Sequence, residues 1–290
     1  MPINFTILRE DRDFRCRADN AEPFYVGRRV SFHGRIGLKN DHDPIIKTCV
    51  YDPAAYRERF GFWADFVAPT AQVESQSSFI ALNTYDRAAF TFGFPQFAAH
   101  VAGGDFVQYF RSLLERAEAH DYFPNLILKG GHIHRVELNG EVPLESDAST
   151  EPLQEYLNPS ADAVDDEEVI AAAKLIHWTR SRVEAQALQV QRVAAMAKTV
   201  VHRVDRRINV DGRNAAICLL CFDILHQGRG GHDTFPRLEQ ALRTSDPVAT
   251  LLTIGADEFP ERIRGLKAAL QANPAFAARR WSRAAADFVN

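Results

Sequence analysis

The stretch from Asp166 to Ile208 constrains this chain more than any other. Its apolar positions Val183, Ala187, Val190, Ala194, Ala197, Val201, Val204 and Ile208 step by alternating fours and threes. That spacing lays one continuous apolar stripe along an α-helix. Asp165, Asp166, Glu167 and Glu168 suit the positive end of such a helix, and Arg203, Arg206 and Arg207 its negative end. The Ala-rich stripe fits close packing inside a domain; the rival use is as the interface of a self-associating adaptor. The chain has 290 residues, 46% of them hydrophobic and 25% charged, and so can supply a core of that length. A net charge of −4 implies no strong attraction to polyanions.

Other helices are expected around this one. Asp52-Pro53 is a capping pair, and Tyr56, Phe60, Trp63, Phe66 and Val67 follow at helical spacing. Pro69 should interrupt that helix, with a short piece resuming to Glu74. Gly104 to His120 is amphipathic, with Phe106, Tyr109, Phe110, Leu113 and Leu114 on one side. Residues 213–226 are apolar on nearly every face and should be central. Shorter helices are expected over 233–243, 246–254, 258–272 and 275–288. Residues 261–290 also carry a mild basic excess.

The rest of the chain is not helical in pattern. Residues 1–48 form an irregular or β segment, with Tyr25 to Gly34 as a strand piece. Asn139-Gly140 is the turn of a hairpin between Val136-Glu137-Leu138 and Glu141 to Leu144. From Glu145 to Glu168 there are nine acids and no Lys or Arg, a solvated acidic connector. The expected organisation is therefore an N-terminal segment over 1–48 and a helical domain over 49–290.

Several chemistries are excluded by what is missing. There is no P-loop, no dinucleotide fingerprint and no nucleophile elbow. Cys218 and Cys221 form a C-x-x-C inside an apolar helix, a place for small core residues rather than for redox or zinc chemistry. His132 and His134 share a strand face with no third ligand. No metal, no cofactor and no nucleic-acid partner is called for. The opening Met1 to Thr6 lacks the basic-then-apolar pattern of a Sec signal, and no apolar run reaches bilayer length.

The informative segment is Val73-Glu74-Ser75, then Asn83-Thr84-Tyr85-Asp86, then Thr91-Phe92-Gly93-Phe94-Pro95-Gln96. A carboxylate ends a helix, a polar loop follows, and a Gly-x-x-Gln closes it. Glycoside cleavage needs a general acid that stays protonated near neutral pH, which apolar surroundings and a helix C-terminus favour. Glu74 has Val73, Phe79, Phe92 and Phe94 near it in sequence. Asp86 is the nearest second carboxylate, either to assist water or only to cap a turn. Ser75, Tyr85, Thr91 and Gln96 are the candidate sugar-binding residues, and Gln96 alternatively bonds only its own backbone. Asp223, inside an apolar helix, needs a partner.

This segment resembles the catalytic region of the lysozyme-like superfamily. Glu74-Ser75 is similar to the Glu-Ser pair of lytic transglycosylases, and Gly93-x-x-Gln96 to their Gly-x-x-Gln. Pro95 and the composition of residues 76–92 depart from that pattern. Phe222 to Gly228 loosely resembles a late helix of wall hydrolases and chitosanases. The resemblance implies a mainly α, lysozyme-like helical domain with a small β-hairpin region lining a cleft. It implies cleavage of a β-1,4-linked amino-sugar polymer, foremost peptidoglycan, by a muramidase or lytic transglycosylase with Glu74 as acid. The alternatives are a non-catalytic glycan-binding or phage or secretion structural module, and a chitosanase-like hydrolase. Lacking a Sec signal, such a protein would reach the wall through a secretion machine or phage lysis.

Overall fold

A computed structural model describes residues 1–290. The chain opens with four strands, β1 (Phe5–Glu10), β2 (Asp13–Ala18), β3 (Phe24–Phe32) and β4 (Arg35–Lys39). Asp52 caps a turn through the Ala54 amide at 2.9 Å, and α1 (Arg57–Phe60) and α2 (Phe62–Ser75) follow. Next come the short strands β5 (Leu82–Asn83), β6 (Thr91–Phe92) and β7 (Phe97–Ala98). Helices α3 (Asp105–Leu114) and α4 (Ala119–Tyr122) precede β8 (Leu126–Lys129), β9 (His132–Glu137) and β10 (Gly140–Pro143). The central helices are α5 (Glu151–Leu157), α6 (Asp166–Ser181), α7 (Val183–Ile208) and α8 (Ala215–Gln227). The last are α9 (Thr234–Leu242), α10 (Pro247–Thr253), α11 (Pro260–Ala272) and α12 (Ala275–Ala278), before the hairpin β11 (Arg280–Ser282) and β12 (Asp287–Val289). No helix is long and apolar enough to cross a membrane.

The mainly α, lysozyme-like expectation is overturned. Helix makes up 47% of the residues and strand 19%, and β1 to β7 form one seven-stranded antiparallel sheet in sequence order. Two smaller sheets, β8 to β10 and β11 with β12, add to it. The protein is mixed α and β. The missed strands carry the period of two in small or disguised form. In β2, Phe14, Cys16 and Ala18 are buried and alternate with Asp13, Arg15 and Arg17. Charges on the outer face of the sheet hid that alternation.

Contacts group the chain into two compact units, each made of two stretches. The first holds residues 1–51 and 75–192, the second 52–74 and 193–290. In the first, α6 packs across β1, β2 and β3, and α3 lies on β7 and β8. The hairpin forms as expected, but Leu138 and Asn139 lie between the paired Glu137 and Gly140, one residue early. In the second, α8 is central, with Ala215 to Ile224 all buried, and it contacts α9, α10 and α12. Phe66 of α2 meets Phe222 of α8, with ring centroids 5.9 Å apart. Cys218 and Cys221 are buried free thiols, and burial pushes Cys221 up to about 12.

Three helix expectations change. Pro69 lies inside α2, which runs on unbroken to Ser75. The long helix is two: Arg182, in extended conformation, separates α6 from α7. The last helix is a single turn, because Trp281 turns inward in a hairpin and packs on Trp63, His202 and Phe288. The stripe positions Val190, Ala194, Ala197, Val201 and Val204 are all buried.

The acidic stretch is more than a solvated connector: it contains α5, whose Leu153 and Leu157 are buried, and its end acids Glu145 and Glu168 are buried too. The Glu168 carboxyl accepts from the Leu38 amide at 3.1 Å and from the Thr84 hydroxyl. Its second oxygen is buried without a partner. Burial, aided by nearby Asp165, pushes its pKa from 4.5 up to about 7. The folded state therefore holds this proton more tightly than the unfolded chain. The stability it contributes is complete below pH 4.5 and is lost as pH rises through 7, by roughly 3 kcal/mol. Glu168→Gln should flatten that part of the pH dependence and raise the urea midpoint above pH 7. An unchanged pH profile would show that Glu168 is not the group responsible.

Candidate functional site

Glu74 lies in the second unit; Ser75, Tyr85, Asp86, Thr91 and Gln96 lie in the first. Around Glu74 the second unit builds a chain of charges. Arg262 of α11 donates Nη1 to Glu74 at 2.5 Å and Nη2 to Asp223 of α8 at 2.8 Å. Its Nε also donates to Asp223, at 3.1 Å. Asp223 accepts further from the Thr70 hydroxyl of α2 at 2.8 Å and from the Arg229 guanidinium. Asp223 and Arg229 are fully buried, Arg262 is nearly so, and Glu74 keeps 22% of its side-chain surface exposed. Two acids and two arginines balance, as buried charges must.

The network fixes its members electrostatically. Burial alone would raise the Asp223 carboxyl. Hydrogen bonds and charge from Arg262, with Arg229 and Thr70, outweigh that and hold it below the usual range. Burial would lower the Arg262 guanidinium, but Asp223 and Glu74 keep it above its ordinary value. Backbone placement matters as much. A side chain at Gly265 would bring its Cβ to 2.5 Å from Val73 Cγ1, so glycine lets α11 approach α2. Arg262 lies one turn earlier on α11 and is thereby brought within reach of Glu74.

The first unit builds a polar three-stranded patch just after Ser75. Asn83, Thr91 and Ala98 pair across β5, β6 and β7, so they share one face; Leu82, Phe92 and Phe97 share the other and are buried. Thr91 is buried, and its hydroxyl has no partner. The Ser75 hydroxyl donates to the Phe94 carbonyl at 2.7 Å. Asp86 is taken up by its own turn. One oxygen accepts from the Ala88 amide and the other from the Asn83 side chain, both at 2.8 Å. Tyr85 is half-buried, with its ring 5.9 Å from that of Phe32. Gln96, at φ 53°, donates its amide to the Gly93 carbonyl at 3.0 Å.

Gln189 of α7 organises this patch and was not singled out in the sequence. It is fully buried, donates to the Phe79 carbonyl at 2.9 Å and accepts from the Phe94 amide at 3.2 Å. Gly93, at φ 86°, lies so close that a Cβ there would be 2.4 Å from Gln189 Oε1. Gln186, Gln189 and Gln191 stand close together, and nothing local distinguishes the one that turns inward. Gln189→Leu would orphan two buried backbone groups, at about 1–3 kcal/mol each. Chemical denaturation should read that loss; a variant as stable as wild type would remove Gln189 from this role.

The other flagged groups have structural partners. His132 and Arg111 both contact the buried Glu145, at 3.1 and 2.6 Å. Comparisons with protein-family models, with curated proteins and with solved structures give no match.

Proposed function

We propose that the protein is a glycan-cleaving enzyme acting on a β-1,4-linked amino-sugar polymer, with Glu74 as general acid. The observation that carries this reading is the clamp on Glu74. A partly exposed carboxylate ends α2, and the arginine holding it is itself locked by a buried aspartate. Arg262 fixes where this carboxylate stands; to act as the acid, Glu74 leaves Arg262 and takes up a proton as the substrate enters. Arg262 keeps both contacts to Asp223 when Glu74 turns towards a substrate, so release of Glu74 strands no bare cation.

Further support comes from Glu74-Ser75 and Gly93-x-x-Gln96, which resemble the motifs of lytic transglycosylases. In the reaction, Glu74 gives its proton to the glycosidic oxygen as the bond from C1 to that oxygen breaks. The resulting oxocarbenium-like carbon is then captured by a hydroxyl oxygen, whose proton passes to the Glu74 carboxylate and restores the acid.

Asp86 is engaged on both oxygens by its own turn, which favours capture by the sugar's own hydroxyl over water activated by Asp86. Asp86→Asn should therefore leave the rate within about tenfold of wild type, against the 10²–10⁴-fold expected for a true general base. Isolated wall polymer is the substrate to test, with the soluble fragments read by mass. Ring-closed ends, lighter by one water than reducing ends, are expected. Reducing ends together with a collapsed Asp86→Asn rate would make Asp86 a base. Release of no fragments would end the glycan-cleaving reading and favour a binding module.

A further inference from the structure

The first unit contains a cleft of about 780 Å³ bounded by the β8–β10 sheet, α5 and α6. Leu144, Ile170 and Ala171 give it apolar walls; Lys174, Glu155, Asp165 and Glu167 bring charges of both signs to it, and Arg135, also in the lining, is paired with Glu137. These charges are held apart. Lys174 has no ion-pair partner, and only burial acts on its ammonium, lowering its pKa. Its nitrogen stands 5.0 Å from the centroid of the Phe123 ring, which steadies a cation without neutralising it. The three carboxylates likewise lack a cationic partner. At the mouth, β10 is an edge strand with all four residues exposed, and its Val142 lines the cleft.

A neutral ligand would cover these charges and leave each one unpaired, at a desolvation cost. A ligand carrying a carboxylate and a separate ammonium would pair with both sets. A bare backbone edge beside the charges suits an extended peptide, whose main chain can pair with β10.

We propose that this cleft binds a short peptide bearing both a carboxylate and a free ammonium group. The carboxylate meets Lys174, and the ammonium meets the acidic side formed by Glu155, Asp165 and Glu167. Assigning that peptide to the stems of a wall polymer rests on the glycan-cleaving reading; the charge arrangement of the cleft does not.

The test is calorimetric titration of the full chain with the tetrapeptide L-Ala-γ-D-Glu-L-Lys-D-Ala. The same peptide with acetylated amines, and a peptide-free chitin oligosaccharide, are the controls. Binding of the free-amine peptide alone is expected, and Lys174→Met and Glu167→Gln should each weaken it by about tenfold. The acetylated peptide on wild-type protein carries the test if either variant fails to fold. No binding, or equal binding of the free and acetylated peptides, overturns the proposal. Wall strands with and without their peptides decide the source: preference for peptide-bearing strands assigns the polymer, and equal affinity of the free peptide assigns a soluble ligand. Glu74→Gln should bind the peptide as wild type does. Peptide binding without glycan cleavage would thus sink the enzymatic reading alone, and cleavage without peptide binding would sink only this one.

Discussion

Asp223→Ala is expected to cost the protein about 3–5 kcal/mol, a large part of the stability of an ordinary domain. The reason is what it leaves behind. Arg229 is fully buried, with a second guanidinium nitrogen already unpartnered, and Asp223 supplies its countercharge. Arg262 would lose two of its three hydrogen bonds, and Thr70 its acceptor. Asp223→Asn keeps the shape and some of the hydrogen bonds but not the charge, and should fall between Ala and wild type. The pH dependence has a definite sign. The folded carboxyl titrates below its ordinary value of 3.8, so its contribution is complete above that pH and is lost as pH falls through the folded value. Thermal and urea midpoints of the two variants check this. A loss of about 1 kcal/mol or less would mean the network is not the internal brace proposed.

The fold was legible where one period dominated. The apolar wrap of α8 and the capped turn at Asp52 are local signals and formed as read, while the stripe of α7 is buried from Val190 to Val204 but leaves Val183 exposed at its start. The N-terminal sheet was not legible as a sheet. Its inward residues include small ones, such as Cys16 and Ala18, and its outward ones are charged, so the strands read as irregular. Glu145 and Glu168 illustrate the same limit. An acid within an acidic run reads as solvated, and only tertiary contacts supply the Arg111 or Thr84 that lets it be buried.

The site divides in the same way. Glu74, and the need of Asp223 for a partner, could be read from a helix end and an apolar helix. Arg229 and Arg262 could not, because they lie 6 and 39 residues from Asp223, and Arg262 is 188 residues from Glu74. No local spacing links them. The turn role of Asp86 was one of two readings open in the sequence, and its two donors favour it.

The most direct test of the central claim is cleavage of isolated peptidoglycan by wild-type protein and by Glu74→Gln. Glutamine keeps the volume and can still accept from Arg262, but it removes one of the two acids that balance the buried arginines, so a stability loss of about 1–3 kcal/mol is expected. It has no acidic proton to give. Compared at a temperature where both proteins are folded, the rate of fragment release should fall by about 10²–10⁴-fold. Equal release by the two proteins would contradict the account.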